Sequence, residues 1–480
     1  FGACLVGFSC EWIYPGSSRL SMYIPRLMCT QHPDSTIKIT VEEEVEEAIA
    51  AFSIYGCDEV MSDFEGKGTP YIQPRDIVVR ALKAGLPLGE RFFVTPRVPN
   101  PELEDFERSM LAVEAAVLAD LRAVKEAGVH AVRWIVLPMS EDPEGVRFVA
   151  DILARKTSAY SGRAEIQLVP LVEDAFKHLK IADFVKAVVG EYIRRGVFLE
   201  KVRIFLGKSD SAVLNGHIAS ALALRAALAI IGRLNSELDH EVVPIIGMGS
   251  PPFRGGLNNP SLASVEAAQY SGFHTATVQS AVRYDVPYQQ YLSVKEALLS
   301  SAGRRPDTSL DLGWASSVVK EAAESYRRLA SKYAEKIAEV AALIPSTRDR
   351  VSWRLYGRTI ATNDGVVVNV PRAIVYTAAW YAVGVPPTLL DSPFLISLRA
   401  RGELDDLLKA LPAYLKELEF DARFYDRRRA EGLLGHDIVK AIDEALDALG
   451  VKAERAEGSP PFVPSQSYIL AEARARGFLG

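Results

Sequence analysis

Glu173 and Asp210 each stand where the chain turns from a short apolar run to polar residues. Two carboxylates on neighbouring runs suit a hard divalent cation that keeps open coordination positions, which means magnesium or manganese. Arg97 and Arg254 follow similar runs, and a guanidinium grips phosphate or carboxylate through paired donors. His32, after the first run, is suited to moving a proton or steadying charge. Together these residue types ask for a small, anionic, phosphorylated substrate held on a metal. Each also has a plain structural reading. His32 before Pro33 and Asp34 can cap a loop, Asp210 within SDSA is a good helix N-cap, and Glu173-Asp174 can complement a helix dipole. The stretch GMGSPPFRGG has neither P-loop nor dinucleotide-fingerprint spacing and reads equally as a turn. The other six histidines, at 130, 178, 217, 240, 274 and 436, show no metal-ligand spacing and read as structural. What favours chemistry is shared position: the capable residues fall at the ends of the apolar runs.

Those runs belong to a repeating unit. Short β-rich segments at 24–30, 59–62, 91–95, 131–137, 166–172, 202–206, 242–246 and 274–278 alternate with helix-period segments such as 41–52, 101–127, 174–195 and 212–234. The residues just after the strands are Gln31, Asp63, Pro96, Pro138, Glu173, Gly207, Gly247 and Gln279, recurring every 32 to 42 residues. A strand, a helix and two loops need that much chain, and eight units close a parallel barrel. Nearly unbroken apolar strands such as AVRWIVL suit burial on both faces. A doubly wound open sheet gives a similar rhythm, so it is the count of eight that favours the barrel.

The predicted fold is therefore α/β, a (β/α)8 barrel over 22–308 carrying most of the site. A helical extension over 309–480 packs on it, with helices predicted at 314–342, 371–383, 404–420 and 436–449. Barrel chemistry sits at the C-terminal strand ends. Besides the residues above, those ends carry Asp63-Phe64-Glu65, Ser140-Glu141-Asp142, Lys208 to Ser211, and Gln279.

The 480 residues carry a net charge of −6 without a long basic block, so no nucleic-acid partner is expected. Cys4, Cys10, Cys29 and Cys57 lack CxxC spacing. Neither a zinc cluster nor a disulfide framework is expected, and a reducing cytoplasm is the natural setting. No apolar run reaches bilayer-spanning length; 221–231 is short and interrupted by Arg225. Residues 1–21 begin at Phe1 without a basic signal-peptide start, and read as a leader before a natural start near Met22.

From about Met22 to Gly480 the chain resembles phosphoenolpyruvate carboxylase in its shorter archaeal form. TQHPDST resembles the family motif T-A-H-P-T, which puts His32 in the catalytic-histidine role. PLVED resembles P-L-F-E-T and LGKSDSAVLNG resembles L-G-Y-S-D-S-x-K-x-x-G, so Glu173 and Asp210 fall on the metal-binding pair. GMGSPPFRGG resembles the mobile loop G-R-G-G-x-x-G-R-G-G, with Arg254 on its second arginine. TATVQSAVRYD resembles T-E-Q-G-E-M-I-R, which makes Gln279 a substrate-binding candidate. PRAIVYTAAW resembles L-R-A-I-P-W-x-x-A-W, which assigns Arg372, and Arg358 in YGRT lies where the family carries a further arginine. VTPRVPN matches an I-R-Q strand end, which makes Arg97 a substrate arginine. The closing RGFLG is similar to the family's Gly-terminated tail. Two positions depart: Met248 replaces the loop's first arginine, and Val213 the lysine of the SDS segment, for which Lys208 is the nearby candidate.

The resemblance implies carboxylation of phosphoenolpyruvate by bicarbonate to oxaloacetate and phosphate, with magnesium or manganese as cofactor and a cytoplasmic homotetramer as the working form. Two alternatives stay open at this point. One is another metal-dependent barrel lyase or phosphomutase acting on phosphoenolpyruvate or pyruvate; the other is a non-catalytic scaffold barrel.

Overall fold

The computed structural model describes residues 23–31, 34–140, 142–161, 166–195, 200–347, 357–453 and 463–480. Its centre is a closed barrel of eight parallel strands in sequence order: β1 (Leu27–Cys29), β2 (Glu59–Asp63), β3 (Phe93–Arg97), β4 (Trp134–Leu137), β5 (Gln167–Val172), β6 (Lys201–Gly207), β7 (Glu241–Gly247) and β8 (Thr275–Val278). β8 pairs back onto β1 and completes the ring, as the count of eight predicted.

Side chains alternate along each strand, and the alternation sorts the barrel into two cores. Leu27, Val60, Val94, Ile135, Leu168, Ile204 and Ile246 face outward and join the large cluster shared with the surrounding helices. Met28, Met61, Phe93, Trp134, Val169, Leu171, Phe205, Val243 and Ile245 fill the lumen. Near the strand beginnings the lumen also holds a fully buried ion pair. Arg203 meets Glu59 through two hydrogen bonds of 2.9 and 2.8 Å, with Trp134 beneath its guanidinium at 4.5 Å. Burial of that charge is tolerable because Glu59 pairs the edge of the guanidinium and Trp134 lies against its face. The same column continues upward every second residue: Met61 to Asp63, Thr95 to Arg97, Leu171 to Glu173, Thr277 to Gln279. Strand periodicity thus delivers these polar residues to the barrel mouth.

Cys29 and Cys57 form a disulfide, which corrects the expectation of none. The spacing criterion is blind to this pair, which meets because β1 and β2 are neighbours in the barrel.

The helix expected at 212–234 instead starts at Ser209 and breaks at Gly216, giving Ser209–Asn215 and His217–Leu234. Gly216 has φ +86°, and a Cβ there would lie 2.7 Å from Tyr326 Cγ, so no larger residue fits. His217–Leu234 has 18 residues and a mean hydropathy of 1.4, long and apolar enough to cross a bilayer. It is 78% buried in this molecule, packed against Leu312–Lys332, and Arg225 within it pairs with Asp307 at 2.6 Å.

Beyond the barrel the chain is mostly helical, with one addition to the predicted pattern. β9 (Arg358–Ala361) and β10 (Val367–Val370) form an antiparallel hairpin in which Arg358 lies opposite Val370. Two residues later, Arg372 is the N-cap of the helix Ala373–Ala382. The hairpin brings together two arginines that are 14 residues apart in the chain.

Candidate active site

The barrel mouth is a cavity of about 120 Å³, lined by Thr30, Gln31, Asp63, Glu65, Lys67, Arg97, Glu173, Ser209, Asp210, Arg254, Gln279 and Arg372 among others. That size suits a small anion rather than a dinucleotide or a polymer.

Four carboxyls meet there. Glu173 ends the lumen column of β5, and its Oε2 accepts the amide of Met139 at 3.2 Å. Met139 has φ +49°, a strained region for a non-glycine residue, and its turn is held by Asn100 Nδ2, which donates to the carbonyls of Pro138 and Met139. Room for Glu173 comes from the next strand: a Cβ on Gly207 would lie 2.9 Å from Glu173 Cγ. Burial, then the charge of Asp210, pushes the Glu173 carboxyl up to about 8. Asp210 sits in the first turn of Ser209–Asn215. Burial is the strongest influence and opposes its ionisation too, but Arg358, joined by Arg372 and Arg97, holds Asp210 below the usual carboxylate range. The guanidinium Nη2 of Arg358 is 2.7 Å from Asp210 Oδ2.

Asp63 and Glu65 complete the set. Arg97 donates to Asp63 through Nε at 2.9 Å and Nη2 at 2.6 Å, and Lys67 pairs with the same carboxylate. Glu65 lies between two arginines, with Arg97 Nη1 at 2.9 Å and Arg372 Nη2 at 3.0 Å. Burial works against its charge, yet those guanidiniums win and hold Glu65 below its ordinary value. From sequence, 63–65 is only a polar strand end, and nothing in it assigns Asp63, Glu65 or Lys67 a role. The available signal was parity, since Glu65 is one strand step beyond Asp63 in the lumen column.

Arg254 ends a short 3-10 turn, Pro252–Arg254. Its Nε donates to Ser209 Oγ at 3.1 Å, its Nη2 to Gln279 Oε1 at 3.2 Å, and its Nη1 to the carbonyl of Gly480. Asp34 Oδ2 faces it at 4.0 Å. The loop around it is buried from Met248 to Asn259, packed down rather than standing free. Met248, where the resemblance had an arginine, is fully buried against Gly255.

Arg97, Gln279, Arg254, Arg372, Glu173 and Asp210 therefore converge on one cavity, with Arg358 at its edge. Lys208, expected from the sequence as a substrate-binding residue, is not among the residues that line this cavity. It is one residue past Gly207, so alternation turns it out of the lumen, where its Nζ donates to the carbonyl of Phe253 at 2.9 Å. Burial lowers its pKa to about 8. His32 lies outside the described residues. Its described neighbours are pinned: Gln31 Oε1 accepts the amide of Asp63 at 2.8 Å, and Asp34 Oδ1 accepts Ser280 Oγ and the amide of Ala281.

A divalent cation fits this donor set. Glu173 and Asp210 are two crowded, buried carboxyls whose mutual repulsion raises Glu173, and a cation between them relieves that repulsion. Among the described residues no three or more His, Cys, Asp or Glu side chains are arranged so that they could hold a metal ion by themselves. Two carboxylates, with the remaining positions left to substrate oxygens and water, is the manner in which proteins hold magnesium.

The sequence model of the phosphoenolpyruvate carboxylase family matches residues 24–480. The phosphoenolpyruvate carboxylase of Pyrobaculum aerophilum is 56% identical over 468 residues, covering 96% of this chain and 100% of that one. That of Thermofilum pendens is 50% identical over 467 residues, covering 96% and 100%. That of Methanosarcina barkeri is 31% identical over 502 residues, covering 94% of each chain. A match of this length, across the barrel and the extension alike, places the chain in the phosphoenolpyruvate carboxylase family, in the form these archaeal chains share.

Proposed function

We propose that the chain is a carboxy-lyase that joins phosphoenolpyruvate and bicarbonate to give oxaloacetate and phosphate, supplying four-carbon dicarboxylic acid. One observation carries the reading: in a chain of this family, four carboxyls face Lys67 and four arginines around a single small cavity. The positive charge that Lys67, Arg97, Arg254, Arg358 and Arg372 gather there suits a trianionic substrate and a second anion.

Glu173 and Asp210 would hold the magnesium or manganese ion. When bound, it supplies Lewis-acid stabilisation of charge that develops on the substrate oxygens. Arg254 and Arg372, with Arg358 and Arg97 behind them, neutralise the phosphoryl group as bicarbonate oxygen attacks phosphorus. Phosphoryl transfer depends mainly on such positioning and charge compensation. The P–O bond to the enol carbon breaks, leaving carboxyphosphate and the pyruvate enolate. His32, in the role the resemblance assigns, takes the carboxyphosphate proton or steadies its charge as it splits into carbon dioxide and phosphate. The enolate carbon then attacks carbon dioxide. Gln279 and Ser209 fix the Arg254 side chain over this space, and the packed loop keeps out water, which would protonate the enolate to pyruvate. A cytoplasmic homotetramer is part of the same proposal.

The test is oxaloacetate formation by purified protein given phosphoenolpyruvate, bicarbonate and magnesium, beside Asp210→Asn and His32→Asn. Bicarbonate-dependent oxaloacetate, lost in both variants, is the expected result. Turnover of phosphoenolpyruvate without bicarbonate would instead favour a phosphomutase or another lyase.

A further inference from the structure

Behind the Arg254 loop lies a buried polar cluster that the chemistry above does not use. Lys208 Nζ holds the carbonyl of Phe253, the residue before Arg254, at 2.9 Å and lies 3.1 Å from His217 Nδ1. His217 Nε2 is 2.8 Å from Glu417 Oε2, and Glu417 is hydrogen-bonded to Glu266. All four side chains are fully buried, and Tyr414 stacks on the His217 ring at 5.6 Å. Glu266 also borders the far side of the loop. A Cβ on Gly256, at φ +61°, would lie 2.7 Å from Glu266 Oε1.

Packing alone does not ask for this arrangement, because well-packed apolar residues are at least as stable as buried charges. What the cluster does is grip the loop on both sides of Arg254, at Phe253 and at Gly256. It draws its members from the end of β6, from the helices His217–Leu234 and Ala263–Gln269, and from Tyr414–Ala422 in the extension. We infer that Lys208, His217, Glu266 and Glu417 are positioning residues that set where the Arg254 guanidinium meets the substrate. The inference rests on the carboxylase reading. A shift of about 1 Å in such a group costs on the order of 100-fold in rate. A loosened loop also admits water, so the enolate is protonated to pyruvate in place of being carboxylated.

The experiment uses the full chain with Lys208→Met, Glu417→Gln, the double variant that removes both charges together, and Lys208→Arg. Thermal melting checks the fold, while oxaloacetate, pyruvate and phosphate are measured separately. The expected result is a pyruvate share raised about tenfold and a KM for phosphoenolpyruvate raised about tenfold. Lys208→Arg should recover part of each. A folded variant with the wild-type product ratio and KM overturns the inference, and so does loss of fold in every variant, which would make the cluster structural support only. Absence of oxaloacetate from the wild type would sink the carboxylase reading itself and the inference with it. Oxaloacetate from the wild type with unchanged partition in the variants sinks the positioning role alone.

Discussion

Arg358 Nη2 lies 2.7 Å from Asp210 Oδ2, so a residue of the C-terminal hairpin closes on a carboxylate carried by the barrel, 148 residues away in sequence. This contact separates two carboxyls of one mouth. Burial acts on both Glu173 and Asp210, but only Asp210 has a guanidinium in direct contact, and their pKa values move in opposite directions. One is poised to keep its charge and the other to hold a proton until a cation arrives. The extension is thus part of the electrostatics of the site.

Arg358 and a cation compete for Asp210. Arg358→Ala is therefore expected to tighten manganese binding to the substrate-free protein by about tenfold, the equivalent of one pKa unit of interaction. The same change should lower kcat/KM for carboxylation by about 100- to 1000-fold, since a transition-state donor is lost. Calorimetric titration with Mn2+ beside steady-state kinetics separates the two. Unchanged or weaker cation binding would show that Arg358 and the metal do not share Asp210.

Glu65 spaces two arginines, with Arg97 on one oxygen and Arg372 on the other. Glu65→Gln keeps the shape and removes the charge that orients both. Each guanidinium loses a charge-assisted bond worth about 1.5–3 kcal/mol when buried. The expected result is a fall in kcat/KM of about 10- to 100-fold, felt more in the KM for phosphoenolpyruvate than in kcat. A variant that kept its KM would mean that Arg97 and Arg372 are set by other contacts.

What could be read from the sequence follows the period of the strand. Asp63, Arg97, Glu173 and Gln279 were visible because apolar runs end at them, and alternation carries them into the mouth. The same rule, applied one residue at a time, would have included Glu65 and turned Lys208 away, because Lys208 stands one place beyond the lumen position of Gly207. The hairpin was not legible. β9 and β10 have four residues each and are largely exposed, so no long apolar alternation marks them. Arg358 and Arg372 were found only through the resemblance. The Cys29–Cys57 bridge was hidden for a related reason: Cys29 ends β1 and Cys57 lies just before the neighbouring β2, a meeting that leaves no spacing motif.

That bridge closes a loop of 28 residues between β1 and β2. A crosslink of that length restricts the unfolded chain by about 3–4 kcal/mol. The double substitution Cys29→Ser and Cys57→Ser is expected to lower unfolding stability by that amount while leaving turnover at moderate temperature intact. Denaturant unfolding with and without reductant makes the comparison. Equal stability of the oxidised wild type and the variant would mean that the bridge does not form in solution.

Asp391 offers a test of buried charge away from the mouth. Its Oδ2 accepts the amide of Ile218 at 2.7 Å at the start of the long buried helix, and burial pushes its carboxyl up to about 7 although that bond and Lys208 work the other way. In the unfolded chain the group ionises near about 4. Between those values the folded protein holds a proton that the unfolded chain has released, so stability is present below about 4 and is lost as pH rises through about 7. Asp391→Asn stays neutral throughout and keeps an oxygen for the Ile218 amide. The variant should match the wild type near pH 4 and exceed it by on the order of 2 kcal/mol at pH 8. Urea unfolding of both proteins at several pH values across this window reads the difference directly. A constant gap at every pH would place the proton elsewhere and leave Asp391 ionised in the folded chain.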